Sequence, residues 1–270
     1  MRPIAALFDT PGKKLVPFIT AGYPSLESTK ELVLAAIQSG ADMVEIGMPF
    51  SDPLADGPVI QETSGVAIEN GITIRGILDA VGEIRKETET PLVLMGYVNP
   101  LLRYGFDRFL TDAEYAGVSG LILPDLPPEE GIPYYEKIKR GNMSPVLLVA
   151  PNSTDERMAR LGALAEDLLY AVSILGVTGS SVQRNRKLPE YLGRLRDHAG
   201  IPFVVGFGIS SPDDVREIAP YSDGVVVGSA LLRTIGESDT PAEAVGEFLG
   251  GLKTALEEVS AMEITSAEQE

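Results

Sequence analysis

The chain has 270 residues, 44% of them hydrophobic, with no cysteine, no tryptophan, one histidine and a formal net charge of −17. That composition supports one large core, and it excludes a disulfide framework, a thiolate nucleophile and a basic nucleic-acid-binding face. It also leaves almost no room for a histidine-based zinc site or a Ser-His-Asp triad, because His198 closes an amphipathic segment where a cation complements a helix dipole.

In chain order, the N-terminal residues predict a short helix and carry no secretory leader pattern. Apolar β-rich runs follow at 16–20, 42–46, 91–97, 120–124, 145–150, 168–173, 202–206 and 224–228. They are apolar almost throughout, as parallel strands buried on both faces should be. Amphipathic helical patterns separate them at 25–39, 74–88, 103–116, 129–139, 155–165, 188–198 and 212–219, and a last one spans 241–259. Ser211-Pro212-Asp213-Asp214 and Thr240-Pro241-Ala242-Glu243 are helix-start signals, each a cap, a proline in the first turn and then acids. Eight such β runs alternating with helices predict an α/β fold, a single (β/α)8 TIM barrel, over a doubly wound sheet. The segment after the second strand is about twice the usual length and holds an extra helical piece at 59–70. The barrel domain is expected to span 1–259, with a polar, frayed tail at 260–270. No apolar run reaches the roughly 18 residues that span a membrane, so a soluble, cytoplasmic protein is expected.

Barrel sites lie at the C-terminal ends of the strands. The second strand ends at Glu45, and a stiff loop follows, Gly47-Met48-Pro49-Phe50-Ser51-Asp52-Pro53-Leu54-Ala55-Asp56-Gly57-Pro58. A carboxylate at the tip of an apolar strand is costly to desolvate, and burial raises its pKa. Glu45 is therefore the candidate acid–base group and Asp56 the second, against an alternative in which Glu45 pairs with a barrel arginine. The ends of strands six, seven and eight carry Gly176 to Gly179, Gly206-Phe207-Gly208 and Gly228-Ser229. Glycines let backbone N–H groups approach an anion, so a phosphorylated small molecule is the expected ligand. None of the lysines falls at a predicted strand's C-terminal end, which disfavours a Schiff-base aldolase. Glu45, Asp52, Asp56 and Asp125 could form a magnesium set, but Asp125 is read instead as a cap of the helix that follows it. No metal is expected.

Four stretches carry a resemblance over nearly the whole chain: Phe18 to Pro24, Glu45 to Pro58, Gly176 to Gly179 and Gly206 to Ser210. They resemble the signatures of the tryptophan synthase α-subunit family. The resemblance implies a lyase that cleaves indole-3-glycerol phosphate to indole and glyceraldehyde 3-phosphate by a retro-aldol reaction without a Schiff base. It implies that Glu45 is the general acid–base and that Asp56 accepts the indole N–H. Phe18 and Tyr170 would line the substrate pocket, and Gly179, Gly208, Gly228 and Ser229 would hold the phosphate. It also implies a pyridoxal-phosphate β subunit as partner, in an α2β2 assembly, with the cofactor belonging to that partner. Ile174-Leu175 stands where the family often has a polar or basic pair before its lid loop. The tips of 49–58 and 97–102 are expected to form the partner surface. Another phosphosugar barrel enzyme, or a non-catalytic paralogue that binds an indole metabolite or a partner, is the alternative.

Overall fold

Strand and helix alternate along the chain, and the strands close on one another. The computed structural model describes residues 1–172, 188–206 and 208–267, with side chains as far as 262. Its elements begin with α1 (Pro3–Phe8), β1 (Lys14–Thr20), α2 (Ser28–Gln38), β2 (Val44–Gly47), α3 (Pro58–Glu69), α4 (Ile74–Arg85) and β3 (Leu92–Met95). Next come α5 (Val98–Tyr104), α6 (Phe106–Ala116), β4 (Gly120–Ile122), α7 (Pro128–Arg140), β5 (Ser144–Val149), α8 (Asp155–Ala165) and β6 (Leu169–Val172). The last are α9 (Leu188–Ala199), β7 (Phe203–Gly206), α10 (Pro212–Ile218), β8 (Gly224–Val227), α11 (Ser229–Glu237) and α12 (Pro241–Ala267). Each strand pairs in parallel with its sequence neighbours, and β8 pairs back on β1, which closes the expected (β/α)8 TIM barrel.

The helix starts follow local chemistry. Thr73, Thr154 and Ser211 cap α4, α8 and α10, each accepting the N–H three residues on. At α10 the Asp214 carboxylate also accepts from Ser210 N–H and from the Ser211 hydroxyl, so the Ser-Pro-Asp-Asp signal is realised in full. Three boundaries differ from the sequence expectation. The helix expected at 103–116 is two helices, broken at Gly105, whose φ of 95° belongs to the left-handed region that glycine enters freely. Helix α11 was not anticipated; it buries Leu231, Leu232 and Ile235 on one side. Helix α12 runs past 259, and the Ser260 hydroxyl accepts from Lys13 N–H at 3.1 Å.

Alternating residues of each strand face opposite sides. One set, Val16, Met43, Val93, Ile122, Val146, Leu168, Val204 and Val226, fills the barrel interior. The other set, including Leu15, Val44, Ile46, Leu94, Val149 and Val225, packs under the helices. Helix α1 plugs the N-terminal mouth of the barrel with Ile4, which is fully buried against the interior set. Arg2 holds the plug in place, pairing with Asp167 at 2.6 Å and Glu166 at 2.7 Å, and Asp167 also accepts the Ser144 hydroxyl at 2.6 Å. With that end sealed, the barrel interior opens at its C-terminal mouth. No described helix is long and apolar enough to cross a membrane.

Candidate active site

The expected site residues that fall among the described ones converge at the C-terminal mouth, on one cavity of about 300 Å³. Phe18, Glu45, Asp56, Tyr170, Gly208, Gly228 and Ser229 all line it. Gly179, Gly176, Ile174 and Leu175 lie outside the described residues.

Glu45 faces the interior because its neighbours Val44 and Ile46 are committed to the outer core. It sits in register with Phe18 of β1 and Val93 of β3. It is 1% exposed, and neither carboxylate oxygen has a hydrogen-bond partner among the described residues. The arginine pair considered as its alternative role does not form: no ion pair to Glu45 is present among the described residues. Burial, and then the charge of Asp56, push its pKa up to about 8. At neutral pH Glu45 is therefore a carboxylic acid with a proton to give, inside a cavity that lets a ligand reach it.

Asp56 reaches the same cavity from the loop before α3. Its carboxylate accepts the Tyr97 hydroxyl at 2.9 Å, and its backbone carbonyl accepts the Gln61 side-chain amide at 2.8 Å. Burial raises its pKa and outweighs the Tyr97 hydrogen bond, which lowers it, so the net shift is upward. The other two carboxylates of the magnesium set are elsewhere. Asp52 is exposed and bonded to its neighbour Ser51. Asp125 accepts Val98 N–H at 3.0 and 3.2 Å through its two oxygens. Asp125 thus caps α5, not the helix that follows it in sequence. A cap belongs to whichever free N–H group the fold brings near, and adjacent barrel units share this rim.

Tyr170 on β6 is half-buried and turned to the cavity, with burial and then Glu45 holding its hydroxyl well above the ordinary range. Two glycines make room for these aromatic rings. A Cβ on Gly206 would stand 2.2 Å from the Tyr170 hydroxyl, and one on Gly47 would stand 2.5 Å from the Phe18 ring.

One wall can take an anion through its backbone. Gly206, Gly208, Ser210, Gly228, Ser229 and Ala230 line it. Gly208 has a φ of 62°. Helix α11 begins at this wall, and no side chain caps its first turn, so its N-terminal N–H groups are available. One turn along the same helix stands Arg233, the one cation lining the cavity, with no hydrogen-bond or ion-pair partner among the described residues.

Sequence reasoning passed over Arg233, Ile60 and Met95, and placed Tyr97 only in the expected 97–102 partner surface. Its contact to Asp56 could not be read at the end of strand three, because the two lie on different segments. Arg233 had a usable signal, its place four residues after Ser229 at the end of strand eight.

Known proteins fit this geometry. The family model described as tryptophan synthase alpha chain matches residues 4–259. A tryptophan synthase alpha chain from Petrotoga mobilis is 47% identical over 238 residues, covering 88% of this chain and 92% of the relative. One from Geotalea uraniireducens is 43% identical over 249 residues, covering 92% and 93%. Among solved structures, the tryptophan synthase alpha chain of Legionella pneumophila superposes with a TM-score of 0.88 at 35% identity, covering 95% of this chain and 98% of that one. A chain of the tryptophan synthase complex of Pyrococcus furiosus gives 0.84 at 33% identity, covering 91% and 100%.

Proposed function

The chain belongs to the tryptophan synthase alpha chain family, and on that premise we propose how its cavity carries out the family's reaction. It is a lyase that cleaves indole-3-glycerol phosphate to indole and glyceraldehyde 3-phosphate. The observation that carries the mechanistic reading is the buried Glu45 carboxyl, with no partner on either oxygen and a pKa near 8, facing a ligand-sized cavity.

Protonated Glu45 donates its proton to the indole ring carbon that bears the glycerol chain. The ring becomes a cationic indolenine, and ionised Asp56 stabilises it by accepting the ring N–H. Glu45, now a carboxylate, helps remove the proton from the glycerol hydroxyl next to that carbon. The electron pair of the breaking C–C bond returns to the indolenine, which leaves as indole, and the hydroxyl carbon becomes the aldehyde of glyceraldehyde 3-phosphate. Glu45 ends protonated, as it began. Its raised pKa suits both steps, because an acid–base group works best with a pKa near the working pH. Phe18 and Tyr170 flank the ring. The phosphate is held by the α11 N-terminus with Gly228 and Ser229, by Gly208, and by Gly179 in the segment that is not described.

A tryptophan synthase β subunit is the partner, and an α2β2 assembly is the arrangement we assign. Rim chemistry supports it: Leu54, 89% exposed on the Asp56 loop, and Leu102, 48% exposed on α5, leave apolar surface beside the site. The deciding experiment is steady-state cleavage of indole-3-glycerol phosphate across a titration of the β subunit from the same source. Turnover that rises with β subunit, with a complex seen by ultracentrifugation, is expected. A flat titration with no complex would leave a solitary lyase.

A further inference from the structure

Asp56 is carried on an exposed loop, yet the residue is only 8% exposed and its carboxylate is oriented. The cause is one side chain from a different strand. Tyr97, at the end of β3 and 4% exposed, donates its hydroxyl to Asp56 Oδ1 at 2.9 Å and accepts the N–H of Ala55 at 2.9 Å. Both capacities of the phenol are thus spent on two consecutive loop residues. Its ring lies 5.4 Å from that of Phe50, at the loop's near end. Its own backbone is anchored from behind, since the next N–H, of Val98, is held by Asp125.

Resting on the reading that Asp56 receives the indole N–H, we propose that Tyr97 is a positioning residue for the reaction, fixing Asp56 in its ionised form and aiming its second oxygen at the ring. The ionised form is favoured because a phenol donates to a carboxylate more strongly than to a carboxylic acid. No cation performs this task, as no ion pair to Asp56 exists among the described residues. Among the described residues, the charged and titratable groups around Asp56 are Glu45 on β2, Tyr170 on β6 and Arg233 on α11, which line the same cavity, and Tyr97 after β3, which bonds to it. Asp52, on its own loop, is turned to Ser51. Of these only Tyr97 touches it. Oδ2 has no protein partner among the described residues and remains for the substrate.

Tyr97→Phe keeps the ring and removes the hydroxyl. Cleavage of indole-3-glycerol phosphate should fall roughly tenfold at neutral pH. The acidic limb of kcat/KM, which reports Asp56 ionisation, should move up by about one unit. Glycerol phosphate affinity, measured by calorimetry, should not change. Adding Asp56→Asn to Tyr97→Phe should cost less than Asp56→Asn alone, since both remove one device. An unmoved acidic limb, or strictly additive losses, would overturn the proposal. If the wild type itself does not turn over, the functional reading fails, and the inference is still read by carbon NMR titration of the Asp56 carboxyl, which should shift upward in Tyr97→Phe. Should that variant not fold, wild-type protein made with 3-fluorotyrosine has a more acidic phenol, and the Asp56 titration must then move down; no movement would reject the role.

Discussion

Arg2 and Glu45 both carry ionisable groups into the barrel, at opposite ends, and their surroundings differ completely. Arg2 meets two carboxylates at 2.6 and 2.7 Å, and one of these, Asp167, is satisfied again by Ser144. Glu45 is the more buried and has no partner among the described residues. A buried ionisable group without a partner is strongly destabilising, and pairing with hydrogen bonds offsets much of that cost. The sealed end is therefore organised for stability. The open end leaves its polar groups for a ligand to satisfy: Glu45, the uncapped α11 N-terminus and Arg233.

The largest expected effect breaks this contrast at Glu45. Glu45→Gln should lower turnover of indole-3-glycerol phosphate by at least about 10²-fold, by loss of the proton donor. It should also stabilise the fold, with a pH dependence whose sign is fixed. The unfolded carboxyl ionises near 4.5, but the folded one holds its proton to about 8. Between these values the native state binds more protons, so wild-type stability falls as pH rises from 4.5 to 8. The variant lacks that slope, and its melting-temperature advantage should grow across that window. An advantage that is absent or independent of pH would mean that Glu45 is solvated or paired.

The second effect concerns the pH profile itself. Wild-type kcat/KM should decline above about pH 8, where Glu45 loses its proton. Because the charge of Asp56 contributes to that raised pKa, Asp56→Asn should move the residual activity's basic limb to lower pH as well as reduce its height. A limb that stays in place would show that the two carboxylates do not interact.

At the sealed end, the expectation is inverted. Arg2→Ala leaves the buried Asp167 without its cation and should cost about 1–3 kcal/mol of stability by denaturant titration. Its kcat should match wild type, and a loss of turnover in folded protein would deny the separation of the two ends. The smallest effect is at Arg233. Arg233→Gln should raise KM for the phosphorylated substrate about threefold to tenfold with kcat unchanged, and the difference should shrink as salt screens the charge. Equal KM at low salt would leave phosphate binding to the backbone alone.

Much of this was written along the chain. Strand and helix periods, together with parallel-strand runs apolar on both faces, determine the eightfold alternation, because burial on both sides leaves no polar positions to mask the signal. The Glu45 to Pro58 string and the glycines of strands seven and eight determine where chemistry sits, since barrels keep their sites at strand ends. Contacts between distant segments were decided only by tertiary structure. Asp125 caps α5 because closure of the barrel sets the ends of β3 and β4 side by side. Tyr97 matters because the loop after β2 folds back across β3 and lays Ala55 and Asp56 on its hydroxyl. Glu45 could equally have met an arginine, and the interior residues packed around it left both oxygens bare. A sequence records what each residue can do. Which groups then go without a partner depends on the close packing of the whole barrel, and at this mouth that absence is the chemistry.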